Sequence, residues 1–118
     1  MNMKEIELKL ENLTFKPHEI IKGKIHVNYS GRYDGVVVNA QILGSNELIV
    51  YRSYNGKTIS QNLSRLFINK NDMQQNSVEF TASIEFEPKE IHEIKFRASI
   101  IQEHKEIESD VVFGKLMP

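Results

Sequence analysis

Apolar and polar residues alternate at a period of two along most of the chain. The clearest stretches are residues 6–10, 21–29, 78–86 and 94–100, where an apolar residue or a glycine stands at every second position. A strand points successive side chains to opposite faces, so this pattern predicts strands with one face in the core and one in water. The glutamates and lysines at the alternate positions are therefore expected on solvated sheet faces.

Turn signals separate these stretches. Pro17 follows a short apolar stretch at 13–15, and Pro88 stops the strand at 78–86. Asn55 and Gly56 favour a hairpin turn because both positions tolerate a positive φ. Further strands are predicted at 36–43 and 107–113. Seven or eight mainly antiparallel strands without a long helix indicate an all-β fold, built as a two-layer sandwich or a barrel.

Residues 59–68 fit two patterns. Ile59, Leu63, Leu66 and Phe67 have the spacing of a helical stripe. The polar positions between them are serine and asparagine, which are weak helix formers. We expect a strand here, with at most one short helical turn.

Length and charge narrow the classes of protein. The 118 residues suit a single domain spanning 1–118. The absence of cysteine excludes disulfides, thiolate metal sites and cysteine nucleophiles. Fifteen basic residues oppose sixteen acidic ones, without the basic excess that is typical of nucleic-acid binding. No apolar stretch has the length of a signal peptide or a membrane span, so we expect a cytoplasmic protein.

One segment resembles a known family. Residues 15–27 read Phe-Lys-Pro-His-Glu-Ile-Ile-Lys-Gly-Lys-Ile-His-Val. This is similar to the opening of the N-terminal half of an arrestin-type domain, which reads aromatic, x, Pro, Gly, Glu, x, apolar, x, Gly, x, apolar, x, apolar. His18 stands where that family usually has glycine. The resemblance covers residues 1–45, where Ile42-Leu43-Gly44 also fits, and implies an immunoglobulin-like sandwich that serves as a protein-binding scaffold.

Catalytic and metal-binding patterns are lacking in the sequence. It contains no glycine-flanked serine elbow, no phosphate-binding P-loop and no dinucleotide fingerprint. The four histidines, at positions 18, 26, 92 and 104, lack the helical spacing of a zinc protease and are expected on the surface. We therefore expect no catalytic, metal or cofactor site and no enzyme.

Two places could bind a protein partner. Tyrosine and arginine are enriched at interface hot spots, and they occur around the predicted hairpin turn and in the loop at 30–35. The candidate residues are Tyr51, Arg52, Tyr54, Lys57, Arg32 and Tyr33. The alternative is that Tyr51 belongs to the core and Tyr54 only caps a turn. The edges of the sheets are a second candidate surface, since partners often bind by strand addition.

Three hypotheses for function follow. The first is a non-enzymatic interaction or adaptor domain that binds a protein partner, or its own copy, through a loop or a sheet edge. The second is an OB-like barrel that binds single-stranded nucleic acid by stacking bases on Tyr33, Tyr51, Arg52 and Tyr54; the balanced charge argues against it. The third is a sandwich enzyme or sugar-binding module, which requires a deep pocket with convergent carboxylates.

Overall fold

The computed structural model describes residues 4–118, apart from the side chain of Asn62, and these residues form ten strands. A short 3₁₀ turn at Lys70–Asp72 lies between the seventh and eighth strands. Among these residues no helix is long and apolar enough to cross a membrane. In chain order the strands are β1 (Ile6–Leu10), β2 (Thr14–Phe15), β3 (Ile20–Val27), β4 (Gly35–Ile42), β5 (Val50–Tyr54), β6 (Lys57–Leu63), β7 (Arg65–Asn69), β8 (Ser77–Ser83), β9 (His92–Gln102) and β10 (Lys105–Leu116).

The strands form two five-stranded sheets. Sheet A has the order β1-β3-β8-β5-β6, and sheet B has the order β2-β10-β9-β4-β7. Every pair is antiparallel except β2 with β10. When β1, β3, β4, β5, β8, β9 and β10 are lettered A to G, the sheets contain the A-B-E-D and C-F-G orders of an immunoglobulin sandwich. The predicted all-β, immunoglobulin-like sandwich is thus confirmed, and the OB-like barrel is not the fold.

The core lies between the inner faces of the two sheets, as the alternation predicts. In β3, for example, Ile21, Ile25 and Val27 are buried while Lys22, Lys24 and His26 are more exposed. Gly23 shares this inner face. A Cβ at Gly23 would lie 2.4 Å from the ring of Phe80, so glycine is required where that ring crosses β3. Phenylalanine placed over a glycine on the neighbouring strand compensates for the missing side chain.

Residues 59–68 lie in β6 and β7, so the strand prediction is confirmed and the single helical turn falls just beyond, at Lys70–Asp72. The helical spacing arose because the chain passes from sheet A to sheet B at Ser64. Ile59 and Leu63 pack against the core from sheet A, and Leu66 does so from sheet B. The separate strands β6 and β7, with the two-residue β2, bring the number of strands above the predicted seven or eight.

Each side of the sandwich is formed by a segment that leaves one sheet and joins the other. On one side β1 belongs to sheet A and β2 to sheet B. On the opposite side β6 belongs to sheet A and β7 to sheet B. These four strands are the sheet edges, which the sequence could not identify.

Candidate interaction surface

Two of the predicted partner-binding residues are buried. The side chain of Tyr51 is 0% exposed, and its ring packs edge-to-face on Phe80 at 6.0 Å. Burial raises the pKa of the Tyr51 phenol. Tyr33 is 4% exposed, and its hydroxyl donates to Oδ1 of Asn76 at 2.6 Å. Tyr51 therefore belongs to the core, which was the alternative to partner binding. Neither tyrosine offers a surface on which a base or a partner could stack.

Arg52 reaches the outer face of sheet A through a β-bulge. The ladder between β5 and β8 pairs Tyr51 with Ala82 and then Ser53 with Thr81, which leaves Arg52 without an opposite residue. A bulge re-aims side chains in this way. The Arg52 guanidinium donates from Nε to Oγ of Ser83 at 2.9 Å and from Nη2 to Oε1 of Glu85 at 2.8 Å.

The other predicted residues are spread around two loops. Tyr54 is half-buried against the core, and Nζ of Lys57 lies 5.8 Å from the centre of its ring. The same ammonium is 3.7 Å from a carboxylate oxygen of Asp72. Arg32 is exposed in the loop before β4. The structure does not gather the six residues into one surface, and partner binding by Arg32, Arg52, Tyr54 and Lys57 stays a prediction.

A polar cluster that the sequence did not reveal lies beside Arg52. The Glu85 carboxylate accepts hydrogen bonds from Ser83 Oγ at 2.6 Å, from Arg52, and from His18 Nδ1 at 2.9 Å. The other ring nitrogen of His18, Nε2, donates to Glu87 Oε1 at 2.9 Å. His18 is 67 residues from Glu85 in the chain, so no local motif could have paired them.

The cluster shifts the pKa values of its members in opposite directions. Hydrogen bonds to Glu87 and then to Glu85 raise the pKa of His18, because both ring nitrogens can donate only when the imidazole is protonated. Hydrogen bonds from Ser83, Arg52 and His18 lower the pKa of Glu85 to about 2. The acidic and basic groups of the cluster satisfy one another, which is typical of a structural ion network.

The outer face of sheet A also carries a groove of about 430 Å³. Its charged lining includes Lys9 and Lys24, which are directly opposite on β1 and β3, and Glu79 opposite Lys24 on β8. These are the solvated positions that the alternation predicts. In residues 4–118, no three histidine, aspartate or glutamate side chains are grouped so that they could hold a metal ion.

The β1 edge is closed by a buried carboxylate. Oδ2 of Asp110 on β10 accepts the backbone N–H of Leu8 at 2.9 Å, and Oδ1 lies 3.0 Å from Nζ of Lys4. Asp110 is only 9% exposed. A side chain that occupies the outward N–H of an edge strand prevents another strand from using it. Aspartate at this position therefore guards the edge.

The β2–β10 edge is protected differently. β2 pairs with β10 only at Lys115 and Leu116, and further back along β10 the amide of Val111 donates to Oδ1 of Asp110 at 3.1 Å. The amide of Lys115 donates to the Leu13 carbonyl at 2.8 Å, and that of Met117 donates to the Phe15 carbonyl at 2.8 Å. The first part of β10 carries charged residues and an irregularity between Glu106 and Glu108. Charges and bulges are the usual protection of an exposed edge.

The β6 edge is irregular. Tyr51 pairs with Leu63 and Ser53 pairs with Thr58, which leaves the backbone of residues 59–61 outside the ladder. A strand with such a break does not present a regular row of backbone groups to a new strand.

The β7 edge is regular and unguarded. All five residues pair with β4 without interruption, from Asn69 opposite Gly35 to Arg65 opposite Asn39, and β4 is the only strand paired with β7 in the described chain. Arg65 is its one charged residue. Phe67 is 47% exposed, and its ring covers Gly35.

The ladder also determines which backbone groups of β7 are free. The amide of Lys70 donates to the carbonyl of Asp34 at 2.9 Å, just beyond the end of β7. Hydrogen-bonded pairs alternate along an antiparallel ladder, so Ile68 and Leu66 also bond to β4. The N–H and C=O groups of Arg65, Phe67 and Asn69 therefore point away from the sheet.

The hydrogen bonds between β4 and β9 lead to the same conclusion about the free backbone groups of β7. The amide of Leu43 donates to the carbonyl of Glu93 at 2.8 Å, so the odd-numbered residues of β4 bond to β9. The backbone N–H and C=O groups of Val36 and Val38 are therefore directed towards β7, where these residues lie opposite Ile68 and Leu66. Two separate hydrogen bonds thus identify the same free groups on β7.

Comparison with known proteins supports the fold of the chain but does not assign the chain to a family. No protein-family model matches the chain, and no curated protein matches its sequence. Among solved structures, the reeler domain of human F-spondin is 10% identical with a TM-score of 0.55, and the match covers 94% of this chain and 89% of that one. The SafD adhesin of Salmonella is 11% identical with a TM-score of 0.54, and the match covers 97% and 98%.

A third structure, a conjugative transposon lipoprotein from Bacteroides eggerthii, is 7% identical with a TM-score of 0.51, and the match covers 95% of this chain and 96% of that one. At such low identity these likenesses concern the fold alone. None of the three is an arrestin, so the arrestin-type assignment stays a prediction. The chain shares its β-sandwich fold with a reeler domain, a lipoprotein and an adhesin.

Proposed function

We propose that this domain is a non-enzymatic protein-interaction module that binds an extended segment of a partner by strand addition to β7. The observation that carries the proposal is the regular, unguarded edge of β7, with the backbone groups of Arg65, Phe67 and Asn69 directed away from the sheet. In strand addition the main chain supplies affinity, and alternate side chains supply specificity.

The contrast with the other edges supports this choice. Leu8 on β1 is capped by Asp110, the first part of β10 carries charges and an irregularity, and residues 59–61 of β6 leave their ladder. Each backbone hydrogen bond to a partner strand contributes about 0.5–1.5 kcal/mol net. The half-exposed Phe67 adds apolar area that an apolar or aromatic cross-strand neighbour would cover.

The wider features of the proposal have separate support. The folds shared with an adhesin and a reeler domain favour binding over catalysis. The φ of His18 is +66°, a conformation that favours glycine, which supports its alignment with the glycine of the arrestin-type motif. The absence of cysteine is compatible with the proposed cytoplasmic location.

A proline substitution tests the function. Asn69 has φ −65°, the value that proline requires, and its N–H points to solvent. Asn69→Pro therefore removes one free donor and adds bulk at the edge without disturbing the ladder to β4. Asn69→Ala is the matched control, because both variants lose the hydrogen bond from the Asn71 amide to Asn69 Oδ1.

Extended peptides selected on the wild-type domain from a displayed random library provide the ligand, and the Kd of each purified peptide is measured by calorimetry. We expect Asn69→Ala to bind about as tightly as the wild type. Asn69→Pro should bind at least about tenfold more weakly, a loss of about 1.4 kcal/mol. Equal binding by Asn69→Pro would contradict the proposal, and so would a strictly monomeric domain that selects no peptide.

A further inference from the structure

We infer that β7 pairs with β7 of a second copy of this chain, antiparallel, about a two-fold axis that passes through Phe67. This inference rests on the proposed function and names the partner. Its basis is the self-complementarity of the edge, in both its backbone groups and its side chains.

The backbone favours one register. The free groups belong to Arg65, Phe67 and Asn69, at every second position of β7. With the axis at Phe67, each copy's Phe67 lies opposite the other's, and Arg65 lies opposite Asn69 of the second copy. Every free group then meets a free group, and each such pair exchanges two hydrogen bonds. A shift of the axis to Leu66 or Ile68 leaves part of both edges unpaired.

The side chains agree with this register. Arg65 is the only charged residue of β7, and it faces an uncharged Asn69 rather than the second Arg65. Like charges directly opposite would destabilise the pair. The two phenylalanine rings, each 47% exposed in one copy, meet on the outer face of the joined sheet. Aromatic cross-strand pairs stabilise antiparallel strands.

The assembly closes at two copies. Pairing through a two-fold axis uses the same patch on both molecules and leaves no free β7 edge. The remaining edges do not extend the assembly. Asp110 caps the amides of Leu8 on β1 and Val111 on β10, the first part of β10 carries charges and an irregularity, and the β6 ladder is interrupted. A pair of five-residue strands buries little area, so we expect a weak, reversible dimer with a Kd between about 1 μM and 1 mM.

Disulfide trapping tests the register, since the chain has no cysteine of its own. Residues opposite each other in a hydrogen-bonded pair have Cα atoms about 5.5 Å apart, within reach of a disulfide. A mixture of Arg65→Cys and Asn69→Cys proteins should therefore form a disulfide-linked heterodimer. Both variants retain Phe67 at the centre of the pairing. Each variant alone is the control and should remain largely unlinked under the same oxidation. Phe67→Cys should link to itself.

The outcomes separate this inference from the proposed function. Self-linking of Arg65→Cys as efficient as the mixed reaction would indicate parallel or random pairing and would overturn the inference. So would a failure of every combination to link, together with a wild-type chain that sediments as a monomer at all concentrations. If selected peptides still bound the wild type and lost affinity for Asn69→Pro, strand addition at β7 would stand while self-pairing would be wrong.

Discussion

Tyr51 carries a phenol into the sandwich core, and among the described residues its hydroxyl has no hydrogen-bond partner. The ring itself is well placed, edge-to-face on Phe80. An unsatisfied buried hydroxyl has lost its bonds to water without gaining others. The hydroxyl therefore reduces stability although the ring contributes to it.

Tyr51→Phe should consequently stabilise the fold by about 1 kcal/mol, because it removes the unsatisfied group and keeps the ring. The free energy of unfolding in urea measures the change. Tyr54→Phe is the matched control, since Tyr54 is half-buried on the same strand, and its effect should stay within about 0.5 kcal/mol of zero. Destabilisation by Tyr51→Phe would show that the hydroxyl makes a stabilising bond.

The two tyrosines of β5 also show where alternation fails. Tyr51 and Tyr54 are three positions apart, so a strict period of two places them on opposite faces. The extra residue at Arg52 shifts the period, and both tyrosines contact the core. A bulge depends on how two strands pair, which the local sequence does not contain.

Among the elements, the turn before β3 is joined to the segment after β8 by the hydrogen bonds of His18 to Glu85 and Glu87. The pKa of His18 is raised, so its contribution to stability is complete below about pH 6.5 and is lost as the pH rises through the higher folded value. The pKa of Glu85 is lowered to about 2, so its contribution is present above about pH 4.5 and is lost as the pH falls towards 2.

The cluster should therefore stabilise the fold most between about pH 4.5 and pH 6.5. His18→Gly removes the ring, and glycine suits the positive φ at this position. The difference in Tm between the wild type and this variant should favour the wild type more at about pH 5.5 than at about pH 8.5. His104→Gly is the control. His104 also has a positive φ, +67°, but its ring bonds to no carboxylate in residues 4–118. A pH-independent difference for His18 would contradict the role of the cluster.

The positions of the strands were largely predictable from the sequence, whereas the order of the strands in each sheet was not. Alternation located β3, β8 and β9 and the buried side of each, because burial at a period of two is a local property. The edges depend on strand order, which arises from contacts between distant segments. Asp110 caps Leu8 across 102 residues, so the sequence alone could not show that β1 is closed and β7 is open.

For the whole molecule, the important feature is the difference between its two sides. On the β1–β2 side, Asp110 links β10 of sheet B to β1 of sheet A, and the bonds from Lys115 and Met117 join β10 to the β2 segment of the same sheet. On the β6–β7 side the chain changes sheets at Ser64, and the regular edge of β7 faces solvent. Such asymmetry leaves one regular edge for recognition and protects the others against indiscriminate pairing.

Amide hydrogen exchange, resolved by residue with NMR, tests this most directly. In a dilute monomeric sample, we expect fast exchange at Arg65, Phe67 and Asn69 and slow exchange at Leu66 and Ile68. The capped amide of Leu8 should also exchange slowly. When a selected peptide or a second copy binds, the three fast amides should slow by at least about tenfold. Slow exchange at Phe67 in the dilute monomer, or fast exchange there in the bound state, would contradict an open β7 edge that binds by strand addition.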